Sequence, residues 1–179
     1  DVCGAGTYTD QTGKINCYEC KKNTYLQDQG TSASLHDNEE DCLKCQARQF
    51  TDIVVNGGTG ASECVRCPAG TRTEVNGEET TCPKCQEGHF NNVIGGSECF
   101  ECPIGFAQKE KQQMYCLPCI PGKKQADKGK DKCDDCSKGQ FQRSIKGTTC
   151  DNCTEGHFAN EVGLVQCFQC MPGQHQDTE

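Results

Sequence analysis

Leucine, isoleucine, valine and phenylalanine stand singly along this chain and never form a sustained apolar run. What recurs is a glycine, an aromatic two residues later, a polar stretch and a second glycine turn. The glycines are Gly70, Gly88, Gly105, Gly122, Gly139, Gly156 and Gly173, and aromatics in the same phase are Tyr25, Phe50, Phe90, Phe141 and Phe158. Glycine admits a positive φ, the GHF and GTY segments place an aromatic on a short strand, and a pair such as Gly95 with Gly96 marks a reversal. The pattern predicts one two-stranded hairpin or C-shaped loop per motif. A lone hairpin is marginal in water, so covalent closure has to supply its stability.

Cysteine provides the closure. The chain has 19 Cys in 179 residues, no Trp, and only 33% hydrophobic residues with Cys counted among them. That is too little for the conventional core of a chain this long. A cysteine content above about 8 to 10% marks a disulfide scaffold, and disulfides persist in oxidising compartments. The chain is therefore expected outside the cell or at its surface.

Nine C-x2-C pairs begin at Cys17, Cys42, Cys64, Cys82, Cys99, Cys116, Cys133, Cys150 and Cys167, at intervals of 25, 22, 18, 17, 17, 17, 17 and 17. A fixed period is the signature of a copied structural unit. Residues 1–81 read as irregular cysteine-rich units with longer loops, and residues 82–179 as regular 17-residue repeats. The run CGAGTY makes Cys3 the second member of a pair, and the unit opened at Cys170 is unfinished at Glu179, so both ends read as cuts through a longer array.

Sequence alone leaves two regular connectivities open. In one, the second Cys of each pair bonds forward to the first of the next: Cys3 to Cys17, Cys20 to Cys42, Cys45 to Cys64, Cys67 to Cys82, Cys85 to Cys99, Cys102 to Cys116, Cys119 to Cys133, Cys136 to Cys150 and Cys153 to Cys167, with Cys170 left over. In the other, like positions bond and lace neighbouring units together. We favour the first, because it makes each unit self-contained and accounts for the odd count. Closing a loop of about 15 residues is worth roughly 3 kcal/mol in the chain-entropy model. The aromatic would then pack on the next disulfide beside the residue inside the pair: Tyr18, Leu43, Val65, Phe100, Leu117 or Phe168. Such nearest-neighbour contacts turn a string of loops into an elongated rod or solenoid with little hydrophobic core.

The stretches CPAGTRTEVNGEETTCPKC, CQEGHFNNVIGGSECFEC and CTEGHFANEVGLVQCFQC resemble the ephrin-receptor-like cysteine-rich repeat and the single-disulfide first module of tumour necrosis factor receptor repeats. The resemblance implies an extracellular, elongated, disulfide-laddered domain of the kind also abundant in protist surface and filament proteins. Departures fall at Asn23 and Arg48, which replace the turn glycine, and at Arg72, Lys124 and His175, which replace the aromatic.

Other chemistries fit less well. Paired C-x2-C motifs can hold zinc, but zinc sites seldom repeat every 17 residues through so many units. A redox catalyst needs one singled-out low-pKa thiolate, and here every unit carries the pair. No catalytic triad, phosphate loop or nucleotide fingerprint appears. No metal, cofactor or enzymatic activity is expected. The net charge of -8 argues against nucleic acid, and no stretch approaches a membrane span.

Local features complete the reading. Asn152, Cys153 and Thr154 form the chain's one N-x-T sequon, a glycosylation candidate at Asn152. His89 and His157 occupy equivalent positions and read as surface residues, while His36 and His175 lack a matching context. Lysines crowd residues 109–146, including Lys123, Lys124, Lys128, Lys130 and Lys132, whereas Asp37, Asp41, Glu78 and Glu79 mark acidic stretches; these charges read as solvated surface or as register for packing. The polar insertion 27–41 reads as a protruding loop and a contact site. The leading expectation is an extracellular structural protein, a disulfide-stiffened stalk, coat or filament that self-associates. The alternative is a receptor-type ectodomain binding a protein ligand along the rod.

Overall fold

The computed structural model describes residues 2–11, 13, 16–46, 49–51, 59–76 and 79–173. Arg48, Glu78 and His175 lie outside the described residues. Among those described, the chain forms nine separate two-stranded antiparallel sheets and two short 3-10 helices, Ala33–Leu35 and Glu39–Asp41. This is a small disulfide-rich fold built as a tandem array of hairpins. Cα-contacts divide it into two compact units, Asp1–Pro83 with Val93–Ser97, and Lys84–Asn92 with Glu98–Glu179.

Each loop is closed covalently. The second Cys of each pair is joined to the first of the next, from Cys3–Cys17 and Cys20–Cys42 through Cys45–Cys64, Cys67–Cys82, Cys85–Cys99, Cys102–Cys116, Cys119–Cys133 and Cys136–Cys150 to Cys153–Cys167. Cys170 is a free thiol of intermediate exposure. Among the described residues, eight of the eleven buried hydrophobic ones are cysteines, the others being Leu26, Ala107 and Ala159, so this interior is chiefly sulfur.

Taking the second Cys of a pair as position 0, positions 1 to 4 form a tight turn. Phe106 N–H donates to Pro103 O at 3.1 Å and Lys123 N–H to Ile120 O at 3.1 Å, with the third turn residue at positive φ, the arrangement of a type II turn. Positions 4 and 5 then pair with the two residues inside the next cysteine pair, as in His89–Phe90 with Phe100–Glu101 and His157–Phe158 with Phe168–Gln169. The aromatic therefore meets the inner residue across the hairpin: Tyr8 with Tyr18, Phe90 with Phe100 and Phe158 with Phe168, at ring separations of 5.8, 6.1 and 6.0 Å. Such contacts add about 0.5 to 1.5 kcal/mol beyond burial. Where the aromatic is missing, Lys124 faces Asp134 and Ala107 faces Leu117. The loop opened at Cys67 differs, pairing Glu74–Asn76 with Glu79–Thr81 inside itself.

Within the second unit, successive repeats are tied by a recurring set of backbone hydrogen bonds. Gly105 N–H donates to Gln125 O in the next repeat at 2.8 Å, Gln125 N–H to Gly147 O in the one after at 2.9 Å, and Gly129 N–H back to Cys102 O at 2.9 Å. The same links recur one period on, from Gly122 to Gln142, Gln142 to Leu164 and Lys146 to Cys119. In the first unit the insertions shift the numbering but keep the scheme, with Gly6 bonded to Leu26, Leu26 to Ala61 and Gly60 to Cys20.

A second relation reaches the next repeat but one. A Cβ added at Gly88, Gly105 or Gly122 would overlap the carbonyl oxygen of Gly129, Lys146 or Gly163, and one at Gly6 that of Gly60. This approach, rather than the dihedral angle, explains the recurring glycine. The turn at position 10 also has positive φ, yet Gln112 and Lys146 hold it at φ 61° and 63°. Asn23 takes the position-3 conformation at φ 64°, as asparagine can. Among the described residues nothing lies within 4 Å of a Cβ built on Gly139. Gly139→Ala is thus expected to cost only the positive-φ strain, about 1 to 2 kcal/mol, and Gly122→Ala at least twice that. Thermal unfolding of the two variants checks this; equal losses would show that the close approach carries no weight.

Candidate functional site

With every cysteine but Cys170 committed to a disulfide, the chemistry left to this chain is chiefly that of its seams and its surface. Position 6 governs the seam. Its backbone joins neighbouring repeats, and in three consecutive repeats its side chain is a glutamine that spans its own loop. Gln108 Nε2 donates to Tyr115 O at 2.9 Å while Gln108 Oε1 accepts from Glu110 N–H at 3.1 Å. Gln125 does the same with Lys132 O and Asp127 N–H at 2.8 and 3.0 Å, and Gln142 with Thr149 O and Ser144 N–H at 2.6 and 2.8 Å. Gln108 and Gln125 are buried, as is Asn91 at the same place. An amide suits this position because it donates and accepts at once, which an aliphatic side chain cannot do. Thr73 is too short for the role, and its buried hydroxyl has no partner.

Sequence reasoning passed over these glutamines, although their 17-residue spacing was there to be read. Buried polar residues are easily mistaken for loop filler. Gln125→Leu should leave the Lys132 carbonyl and the Asp127 N–H without their partner and cost about 1 to 2 kcal/mol. Faster amide exchange at Asp127 is the accompanying sign; an unchanged exchange rate would remove the staple from the account.

The insertion 27–41 is built differently from the free protrusion that its composition suggests. The Asp28 carboxylate accepts hydrogen bonds from the N–H groups of Gly30, Thr31 and Ser32 at 3.1, 2.8 and 3.3 Å and from the Thr31 hydroxyl. His36, 1% exposed, sits with Nε2 3.0 Å from Asp28 Oδ2 and Nδ1 2.6 Å from Thr7 O. Thr9 N–H reaches back to His36 O at 2.8 Å, pinning the insertion to the first repeat. Asn38 and Asp41 form a capping box around Glu39–Asp41. A polar sequence here marks a hydrogen-bonded hub, because its partners are backbone groups supplied by its own turn.

That hub has a pH signature. The Thr31 hydroxyl above all, with the Thr31 N–H, His36 and the Ser32 N–H, holds the Asp28 carboxyl well below the usual carboxylate range, against the opposing pull of desolvation. A native pKa below the unfolded value stabilises the fold fully above about pH 3.9, and that stabilisation is lost as pH falls through the native value. Amide protection at Thr31 and Ser32 should therefore survive to about pH 4 and decline in stronger acid, and Asp28→Asn should abolish the step. Protection that falls off well above pH 4 would contradict this assignment.

The remaining candidates lie on the surface. Asn152 is exposed on a hairpin strand, and its Oδ1 accepts from Gln140 Nε2 at 2.9 Å. His89 and His157 are half-buried, each with Nδ1 directed at the carbonyl two residues before it, Glu87 and Glu155. Several lysines of the basic stretch are already paired: Lys111 with Glu87 at 3.7 Å, Lys130 with Asp127 at 3.4 Å and Lys123 with Asp135. Two cations instead cover rings, Arg143 over Phe141 at 5.3 Å and Lys146 over Phe106 at 5.2 Å. Among the described residues no helix is long and apolar enough to cross a membrane.

Comparison with known proteins follows the same seam. Residues 122–163 match the family described as tyrosine-protein kinase ephrin type A/B receptor-like. The matched stretch begins and ends on the two glycines that meet across the next repeat but one. The chain is also similar to the Laminin-like protein lam-2 of Caenorhabditis elegans, 29% identical over 86 residues, which is 48% of this chain. The match spans 4% of that protein's length. The match over residues 122–163 and the tandem disulfides make this a cysteine-rich repeat array similar to the ephrin-receptor-like kind.

Proposed function

We propose that this chain is one stretch of an extracellular structural protein, a disulfide-stiffened stalk, surface coat or filament. The observation that carries the reading is the linkage inside each unit, where repeats are covalently closed and hydrogen-bonded to their neighbours and, at Gly6, Gly88, Gly105 and Gly122, also meet the backbone of the next but one. A loop engaged at two ranges cannot rotate freely about its neighbour, and nearest-neighbour terms of this kind sum along an array. The disulfides require an oxidising environment, which agrees with a place outside the cell. On this reading Asn152 carries an N-linked glycan and Cys170 pairs beyond the described residues.

A receptor-type ectodomain binding a protein ligand is the second reading. It is favoured by the ephrin-receptor-like match and by apolar side chains exposed together around one disulfide. Negative-stain microscopy of material isolated without reductant, with non-reducing peptide mapping of the same sample, separates the two. Regular filaments or fibrous coats that disperse on reduction are the expected result. Dispersed single molecules that bind a protein ligand with one-to-one stoichiometry would replace the structural reading by the receptor one.

A further inference from the structure

The repeat opened at Cys102 shows five large apolar side chains to solvent. Ile104, Met114, Tyr115, Leu117 and Ile120 are each between 49% and 60% exposed. They surround one disulfide. The Cys102–Cys116 bond sets Ile104, two residues after one sulfur's backbone, near Tyr115, which precedes the other. Leu117 pairs with Ala107 across the hairpin, and Cys119 N–H donates to Gly105 O at 2.8 Å, bringing Ile120 beside Ile104.

Internal comparison shows that Ile104 and Tyr115 are particular to this repeat, whereas the repeat opened at Cys153 also exposes Val165, Phe168 and Met171 at the places of Met114, Leu117 and Ile120. Where this repeat has Tyr115, the others in the regular region have Glu98, Lys132, Thr149 and Gln166. Where it has Ile104, Glu87, Lys138 and Glu155 stand elsewhere. The scaffold does not need apolar residues at these places, and a contiguous exposed apolar patch marks an interaction site.

Charge narrows the partner. Residues 102–152 hold ten Lys and Arg against six Asp and Glu, whereas residues 1–101 hold eight against sixteen. Lysines border the patch: Lys123, whose N–H donates to Ile120 O at 3.1 Å, would exchange its own Asp135 for an incoming acid, and Lys146, whose carbonyl abuts Gly105, lies over Phe106. The complementary element is the insertion 27–41 in the first unit. Leu35 is 49% exposed at the end of its 3-10 helix, and Asp37 and Glu40 follow it, both exposed. The Asp28 hub and the Asn38 capping box hold this segment in place beforehand, so little ordering entropy is lost when it binds.

We infer that the patch around Cys102–Cys116 docks the acidic insertion of a second copy of this chain, with Leu35 entering the patch and Asp37 and Glu40 meeting the lysines at its rim. The contact joins two different surfaces, the patch of one copy and the insertion of the other, so each copy keeps a second surface open to a further copy. It rests on the structural reading above and names the surface through which such a protein would assemble.

Sedimentation velocity of the intact oxidised chain over a wide concentration range tests it. Concentration-dependent oligomers that weaken as salt is raised are expected, because the rim charges are screened. Leu35→Asp and Leu117→Asp should each weaken association by at least about tenfold. An equimolar mixture of the two variants should recover dimers but no larger species, since one intact insertion and one intact patch remain; that recovery excludes misfolding as the cause. A chain that stays monomeric at all concentrations, variants that assemble like the parent, or a mixture that recovers nothing would each overturn the inference. Filaments in native material together with unimpaired variants would remove this contact and leave the structural reading standing.

Discussion

The bond from the second cysteine of one pair to the first of the next is the constraint on which everything else in this chain rests. It closes each loop where little apolar packing is available to hold it. Residues that small domains normally use for burial are scarce here, and the buried places go to cysteines themselves. Cys67, Cys85, Cys102, Cys119 and Cys136 are all at most 1% exposed. With sulfur at the centre, the remaining interior positions are freed for polar side chains that serve the backbone.

Those polar side chains explain how a chain without a conventional core keeps defined loops. Gln108, Gln125 and Gln142 hold their loops from inside while their own backbone joins the next repeat. A buried amide that satisfies both a donor and an acceptor is stable where an unpaired one would be costly. The Asp28 and His36 hub applies the same logic to an insertion with no counterpart elsewhere. In both cases the hydrogen-bonding capacity of the backbone, rather than apolar area, dictates the residue chosen.

Function follows from what the scaffold leaves outside. Because the inner residues of each cysteine pair and the turn tips point to solvent, a repeat can alter its surface without disturbing its closure. Most do so with charge: Lys124 faces Asp134 where other repeats stack aromatics. One does so with Ile104, Tyr115, Leu117 and Ile120. Loop closure belongs to the positions held in common, and the variable surface belongs to the positions that break the pattern.

The sequence by itself determined the class of fold and its period, because cysteine spacing and glycine phase are local signals. The regular intervals from Cys82 onward and the aromatics at Phe90 and Phe158 announce a closed hairpin, and the hairpins lie where those signals put them. Only the tertiary structure decided what the glycines and glutamines are for. The meeting of Gly122 with the carbonyl of Gly163 joins residues two repeats apart, and no pattern within one repeat can encode a distance set by the stacking of three. The insertion 27–41 reads as a protrusion because its residues are polar, and most of them are exposed, yet Asp28 accepts from the backbone of its own turn and meets the buried His36. Polarity in a sequence shows that a side chain can make hydrogen bonds, and the folded chain alone decides whether water or its own backbone supplies the partner.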